Sequence, residues 1–147
     1  NNVLYGDPWA AKPDVVSAAE RAQLHEHVAK LPQEYDTLIG ERGLALSGGQ
    51  RQRLNISRSL LLGTHILILD DSTSAVDAGT EKKIREALKE GAAERLTIII
   101  SHRVASLMHA DQIVYMEDGR ILERGNHEEL IKQGGNYSQL YQLQTLD

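Results

Sequence analysis

The stretch "HILILDDSTSAVD", residues 65–77, places two adjacent carboxylates directly after an aliphatic run. An uninterrupted apolar run of this length is typical of a buried strand in a parallel sheet. Such folds bind ligands at the carboxyl ends of their strands, where Asp70 would lie. Adjacent like charges repel each other, so a bound divalent cation would stabilise them. Asp71 could alternatively cap the following turn through its side chain.

Further apolar runs follow the first one. They are "LTIII" at 96–100 and "QIVYM" at 112–116, separated by the helical patterns "TEKKIREALKE" and "RVASLMH". This alternation predicts an α/β fold with a parallel sheet covered by helices on both faces. Asp118-Gly119 predicts the turn of a hairpin, and Asn126 with Glu129 predicts a capped helix. The chain is expected to close with a short amphipathic helix, "YSQLYQLQ".

The chain before residue 65 reads as helical. Residues 14–31 carry apolar side chains at spacings of three and four, which predicts one amphipathic helix ended by Pro32. A second helix is expected to begin at Ser47, with Gln50 completing a capping box, and to stop at Gly63. We therefore expect an α-helical subdomain over 1–64 and an α/β region over 65–147.

The segment "LSGGQ", residues 46–50, has the composition of a phosphate site. The first turn of a helix offers unpaired N–H groups and a positive dipole end, and Gly48 and Gly49 let an anion approach. The alternative is a turn followed by an ordinary capped helix. In "TIIISHR", His102 would emerge at the same sheet edge as Asp70 if the strands are parallel, although such a histidine can also be a structural hydrogen-bonder.

Composition narrows the classes of function. The chain has 147 residues, 41% of them hydrophobic, which suits one globular domain. The formal net charge is -5 and no dense basic block occurs, so a nucleic-acid partner is not indicated. Cysteine is absent, which excludes disulfides and cysteine zinc sites, and the other five histidines show no metal-ligand spacing. No apolar run is long enough to cross a bilayer.

Taken together, "LSGGQRQRLNISRSLLLGTHILILDDSTSAVD" and "TIIISHR" resemble the nucleotide-binding domain of ATP-binding cassette (ABC) transporters. The match joins the family's signature motif, Walker B strand, D-loop "SAVD" and switch histidine in order and spacing. "YDTLIGERG" is similar to the loop before the signature motif in exporters, and "GRILERGNHEELIKQGGNYSQLYQLQ" to their C-terminal tail. The resemblance implies a P-loop NTPase-like parallel sheet, here the second half of the core, with an α-helical subdomain.

The resemblance also implies roles and partners for the residues of the signature motif. A second nucleotide-binding domain would hold ATP, whose γ-phosphate would be clasped by Ser47, Gly48, Gly49 and Gln50 of this chain. Asp77 in the D-loop would help couple the two ATP sites of the dimer. Glu41 and its loop would face a transmembrane domain and relay closure to it. The location implied is the cytoplasmic face of the cell membrane, within an exporter.

Three residues would act on the ATP bound by this chain's own domain. Asp70 would hold Mg²⁺ through its water shell, Asp71 would be the general base, and His102 would contact the γ-phosphate. The family usually has Glu where this chain has Asp71, whose carboxylate is set back by roughly 1 Å, a displacement that matters for catalysis. A general base contributes about 10²- to 10⁴-fold, so hydrolysis could be slow. The retained His102 favours an active site instead.

Two functions therefore stay open: half of a transport ATPase, or a regulatory module whose degenerate site holds ATP with little turnover. A non-transport ATPase is disfavoured by "TLIGERG" and by the acidic charge balance. The chain contains no G-x-x-x-x-G-K-[ST], the loop that cradles the β- and γ-phosphates. Alone, it is expected neither to bind nor to hydrolyse ATP, and to self-associate through an open sheet edge.

Overall fold

The structure is a computed structural model of the chain and describes residues 2–40, 46–90 and 95–146. It forms two compact units, Asn1–Ile100 and Ser101–Asp147. The predicted boundary at residue 64 concerns domains of a larger ATPase and stays a prediction. The first unit contains 3₁₀ turns at Val3–Tyr5 and Glu34–Asp36, helices α1 (Lys12–Arg21), α2 (His25–Val28), α3 (Gly48–Leu61) and α4 (Ala78–Lys89), and strands β1 (Ile66–Asp70) and β2 (Leu96–Ile100). The second contains α5 (Val104–Leu107), β3 (Ile113–Glu117), β4 (Arg120–Gly125), α6 (His127–Gln133) and α7 (Asn136–Thr145).

Strands β1 and β2 pair in parallel, which confirms the predicted α/β fold. Their register sets Ile66 opposite Leu96 and Asp70 opposite Ile100, so Asp70 stands at the carboxyl end of the sheet. The crossover between the strands contains α4, as a parallel connection requires. The first carboxylate of the aspartate pair is therefore placed where the sequence predicts.

Helices cover one face of this sheet within the part of the chain that the structure describes. Leu67 and Leu69 point into the core, whereas Ile66 and Ile68 on the opposite face are 57% and 59% exposed. The prediction that helices cover both faces is wrong for these residues. The reason is that an unbroken apolar run indicates two faces that favour burial but does not supply the elements that bury them.

The third apolar run forms a hairpin. Strand β3 pairs antiparallel with β4 in a two-stranded sheet of their own, rather than adding to the parallel sheet. Asp118 and Gly119 both have positive φ, 47° and 73°, the backbone that a tight hairpin turn requires. The hairpin prediction is confirmed, and the expectation that this run joins the parallel sheet is wrong, because the short turn allows direct antiparallel pairing.

The single helix predicted over residues 14–31 is two helices. Helix α1 ends in a Schellman motif: Gln23 has φ 56°, its N–H donates to the Glu20 carbonyl, and the Leu24 N–H donates to the Ala19 carbonyl at 2.8 Å. Leu24 is then buried against the start of the chain. The sequence concealed this end because glutamine, rather than glycine, occupies the left-handed position.

Helix α3 fixes the position of the sheet relative to the helices. Its Ile56 and Leu60 pack with Leu67 and Leu69 of β1, and its Leu54 packs in a second cluster with residues of α1 and α2. Each fully buried aliphatic side chain contributes about 1.5–3 kcal/mol. The two ends of interest, the start of α3 and the end of β1, are therefore held within one packed body.

The second unit has its own core. Val104, Ile113, Leu130 and Tyr137 are buried together, with Leu140 and Tyr141 of α7 packed against them. Asn126 and Glu129 form the predicted capping box at the start of α6. Within the described ranges, no helix is both long and apolar enough to cross a membrane.

Candidate functional site

The first turn of α3, the 47–50 segment, is organised by a capping box. The Gln50 N–H donates to Ser47 Oγ at 3.2 Å, and the Ser47 N–H donates to Gln50 Oε1 at 2.8 Å. The predicted cap is confirmed. It satisfies two backbone donors of this turn, and Ser47 is exposed.

The Gln50 amide has a further partner that the sequence did not predict. Since Gln50 Oε1 accepts from Ser47, its Nε2 donates to His27 Nδ1 at 3.2 Å. His27 Nδ1 must then be the acceptor, which leaves the ring proton on Nε2. That Nε2 is buried and has no hydrogen-bond partner in the described structure. His27, one of the five histidines without metal-ligand spacing, therefore holds the last residue of the 47–50 segment.

Gly49 is required for packing, in addition to letting an anion approach the backbone of this turn. A Cβ at Gly49 would lie 2.7 Å from the carbonyl oxygen of Ala75, a distance that real Cβ atoms do not show. At Gly48 the nearest atom would be the Ala75 Cβ at 3.4 Å, an ordinary contact. The turn between β1 and α4 thus presses on α3 at Gly49, a constraint that the sequence alone did not reveal.

The two aspartates at the end of β1 are not equivalent. Asp70 is the last residue of the strand and is exposed. Asp71 leaves the strand with φ 44°, and its N–H donates to the Ile100 carbonyl of β2 at 2.9 Å. A positive φ at a non-glycine residue is held only by its surroundings. The main chain of Asp71 is therefore fixed by the sheet on its amino side.

Gln52 of α3 fixes the same turn from the other side. Its Nε2 donates to the Asp71 carbonyl at 3.2 Å and to Ser74 Oγ at 2.8 Å, while its Oε1 accepts from the Ala75 N–H at 2.8 Å. Gln52 thereby attaches the 71–77 turn to the helix that begins with the 47–50 segment. No local sequence pattern marks Gln52, because its partners lie 19 to 23 residues away.

Asp77 closes the 71–77 turn as the N-cap of α4. Its Oδ1 accepts from the Thr80 N–H at 2.9 Å. Hydrogen bonds from the Thr80 backbone and side chain lower the pKa of Asp77 below its ordinary value, because they favour the charged carboxylate. The coupling role predicted for Asp77 stays a prediction, and its local role is to begin α4.

His102 belongs to the second unit, in the 101–104 loop between β2 and α5. Its side chain is exposed, and its carbonyl accepts a hydrogen bond from Gln144 Nε2 of α7 at 2.7 Å. The Gln144 Oε1 accepts from the Val104 N–H at 2.9 Å. Glu41, predicted to face a transmembrane domain, lies outside the described residues.

The donor set at the end of β1 fits Mg²⁺ held jointly by protein and phosphate. No group of three or more His, Cys, Asp or Glu side chains capable of binding a metal occurs in residues 2–40, 46–90 and 95–146. Mg²⁺ in nucleotide sites commonly uses one or two carboxylates, water and the phosphate oxygens. The exposed Asp70 carboxylate at a sheet edge supplies a suitable oxygen ligand.

Comparison with known proteins gives consistent results. A family model described as ABC transporter matches residues 3–74. The uncharacterized ABC transporter ATP-binding protein YknU of Bacillus subtilis is 52% identical over 147 residues, all of this chain and 25% of that protein. A Staphylococcus aureus protein named as a multidrug export ATP-binding/permease protein is 49% identical over 145 residues, 99% of this chain and 25% of that protein.

A solved structure, of a bacterial Atm1-family ABC exporter with ATP bound, matches with a TM-score of 0.93 at 39% identity. The match covers 97% of this chain and 25% of that one. The chain therefore spans about a quarter of the length of the relatives it matches.

Proposed function

Because the chain belongs to the ABC transporter family, we propose that it is the stretch of an exporter's ATP-binding domain that serves two ATP sites at once. Its 47–50 segment would clasp the γ-phosphate of an ATP held mainly by a second ATP-binding domain. Its Asp70, Asp71 and His102 would act on the ATP of its own domain. ATP-driven closure of the two domains would then power export.

The observation that supports this proposal most directly is the attachment of the 71–77 turn to α3. Three hydrogen bonds from Gln52 and the close approach at Gly49 join the start of α3 to the residues that follow β1. A displacement of the 47–50 segment as the domains close would therefore move Asp71 as well. This is the linkage expected of a chain that contributes to two ATP sites.

Each residue has a role that its setting allows. The open first turn of α3 would receive phosphate oxygens through its backbone N–H groups. Asp70 would hold Mg²⁺ through water, and when bound that ion neutralises charge on the phosphates. Asp71 would accept the proton of the attacking water, and the exposed His102 would donate to the γ-phosphate. Asp77 would couple the two sites from the start of α4.

The partners proposed are a second ATP-binding domain and a transmembrane domain, which Glu41 and its loop would face. The complex would lie at the cytoplasmic face of the cell membrane. Alone, this stretch would neither bind nor hydrolyse ATP, since it contains no phosphate-cradling G-x-x-x-x-G-K-[ST] loop. The exposed face and edge of the β1–β2 sheet, with Ile66 and Ile68, would then favour self-association.

A second candidate function is favoured by Asp71. Its main chain is held by Ile100 on one side and by Gln52 on the other, so the backbone cannot advance to offset the shorter side chain. A carboxylate set back in this way would hold water poorly for attack while leaving ATP binding intact. The chain would then be the regulatory half of a heterodimeric exporter, lending its intact 47–50 segment to the site of its partner.

Single-turnover ATP hydrolysis by the full-length protein and its Asp71→Glu variant separates the two candidates. If the site is degenerate, the wild type hydrolyses the ATP of this domain slowly, and Asp71→Glu raises the rate by about 10-fold or more. The matched control is Asp14→Glu, in the first turn of α1, where either carboxylate suits the helix dipole.

An unchanged rate in Asp71→Glu, together with measurable hydrolysis in the wild type, rejects the regulatory candidate and favours the active ATPase. A protein that hydrolyses no ATP in either form contradicts both.

A further inference from the structure

We propose that Gln144 is a positioning residue that holds His102 in place for the reaction. The inference rests on the proposed function, because His102 would contact the γ-phosphate. It concerns the last residue of the stretch that resembles the family's C-terminal tail, a residue to which the resemblance assigns no role. Gln144 would act on the reaction through the main chain of the 101–104 loop, without touching ATP itself.

The first observation is that one side chain binds both ends of a short backbone segment. Gln144 Nε2 donates to the His102 carbonyl at 2.7 Å, and Gln144 Oε1 accepts from the Val104 N–H at 2.9 Å. An amide has one donating and one accepting end, so only this orientation satisfies both contacts. The backbone from the His102 carbonyl to the Val104 N–H is thus held at both ends.

The second observation is that α5, which follows the loop, begins without a capping side chain of its own. Helix α5 contains four residues, too few to be stable by itself, and its N-cap residue Arg103 makes no capping hydrogen bond through its side chain. The Arg103 N–H donates to Ser101 Oγ at 3.1 Å within the loop. Gln144 therefore supplies from a distance an acceptor for the Val104 N–H, one of the donors that the first turn of a helix leaves unpaired.

The third observation is that Gln144 is itself well placed. Tyr137, Leu140 and Tyr141 lie on the same face of α7, at the helical spacing that also includes position 144. These residues pack in the cluster that buries Val104, so the face of α7 that carries Gln144 rests against α5. This packing sets the reach of the Gln144 amide to the loop, and loss of the amide would remove both of its hydrogen bonds to the loop.

A double-mutant cycle in the full-length protein tests the inference. The kcat and KM for ATP are measured for wild type, Gln144→Ala, His102→Ala and the double variant, with Gln142→Ala on the same helix as the matched control. We expect Gln144→Ala to lower kcat by about 10- to 100-fold, the loss typical of a reacting group displaced by about 1 Å. In the His102→Ala background the same change should have no further effect.

Amide exchange at Val104 provides a readout that does not depend on activity. Gln144→Ala removes the acceptor, so exchange should become about fivefold faster, whereas Gln142→Ala should leave it unchanged. Gln144→Glu can still accept from the Val104 N–H but cannot donate to the His102 carbonyl. It should therefore protect the Val104 amide while still lowering kcat.

The inference is overturned if Gln144→Ala lowers kcat by the same factor in the wild-type and His102→Ala backgrounds. The substitution would then act on the fold as a whole and not through His102. An unchanged kcat in Gln144→Ala or in His102→Ala, or unchanged exchange at Val104, overturns it too. If the wild type hydrolyses no ATP, the proposed function fails and the positioning role with it. The exchange rates would then still decide whether Gln144 holds the loop.

Discussion

The 71–77 turn and the 101–104 loop each carry a candidate catalytic residue, and each is held by a glutamine from a helix. Gln52 is half-buried in α3 and makes three hydrogen bonds to its turn, which also presses against Gly49. Gln144 is exposed near the end of α7 and makes two. A glutamine side chain therefore holds both segments, in one case beside a close backbone contact and in the other from an exposed position on α7.

The largest effect in this comparison is expected at Gly49. In an open helix, Gly→Ala would stabilise the chain by roughly 0.5–1 kcal/mol. Here the new Cβ would lie 2.7 Å from the Ala75 carbonyl oxygen, so either α3 or the 71–77 turn must move. We expect Gly49→Ala to destabilise the protein by about 1–3 kcal/mol, the usual cost of overpacking, and to lower its thermal unfolding midpoint.

Gly48→Ala is the matched control for that prediction. Its Cβ would meet the Ala75 Cβ at 3.4 Å, an ordinary contact, so the unfolding midpoint should stay the same or rise. The pair separates packing from phosphate binding, because both changes could impair ATP hydrolysis while only Gly49→Ala should impair stability. Equal midpoints for the two variants would show that the 71–77 turn does not press on α3.

A smaller effect is expected at Gln52. Gln52→Ala removes three hydrogen bonds that are partly exposed to water, so we expect a destabilisation of about 1–2 kcal/mol. Since the Asp71 carbonyl loses its hydrogen bond from Gln52, ATP hydrolysis by the full-length protein should fall more than the stability loss alone implies. Gln33→Ala, an exposed glutamine of the same unit, is the control for both the unfolding midpoint and the rate. If the Gln52→Ala and Gln33→Ala variants hydrolyse ATP at the same rate, Gln52 does not link the 47–50 segment to Asp71.

These contacts also explain how far the sequence could predict the structure. The capping boxes at Ser47 and Asn126 were predictable because each joins residues only three apart. The parallel pair and the hairpin followed from apolar runs and from the Asp118-Gly119 turn. Gln52 and Gln144 could not be found in this way, since their partners lie 19 to 42 residues away and no local pattern marks them.

Two of the three wrong predictions have a similar physical cause. The end of α1 was missed because Gln23 adopts a left-handed conformation that usually indicates glycine. The open face of the β1–β2 sheet was missed because apolar composition predicts burial without naming what covers the surface. In both cases the local sequence pattern predicted the right type of element. Tertiary contacts decided where the helix ended and which face of the sheet was covered.

The smallest effect is expected at Asp77, which closes the 71–77 turn at the end opposite Gln52. Its pKa is lowered by the hydrogen bonds from Thr80, so the charged carboxylate stabilises the folded state. This contribution is complete above the pKa of the unfolded chain, near the ordinary value of 3.8, and is lost as the pH falls through the lowered pKa of the folded chain. Asp77→Ala should lower the unfolding midpoint slightly at neutral pH. It should also make the midpoint less dependent on pH in the acidic range.

Asp77→Asn gives the matched control, because its amide oxygen can still accept from the Thr80 N–H but does not titrate. Its midpoint should lie between those of the wild type and Asp77→Ala at neutral pH, and should approach that of the wild type as the pH falls below 3.8. An Asp77→Ala midpoint that equals the wild type at neutral pH would mean that the Gln52 side of the turn suffices to hold it. Gln52, the Asp71 backbone bond to Ile100 and the close contact at Gly49 would then hold the turn without help from Asp77.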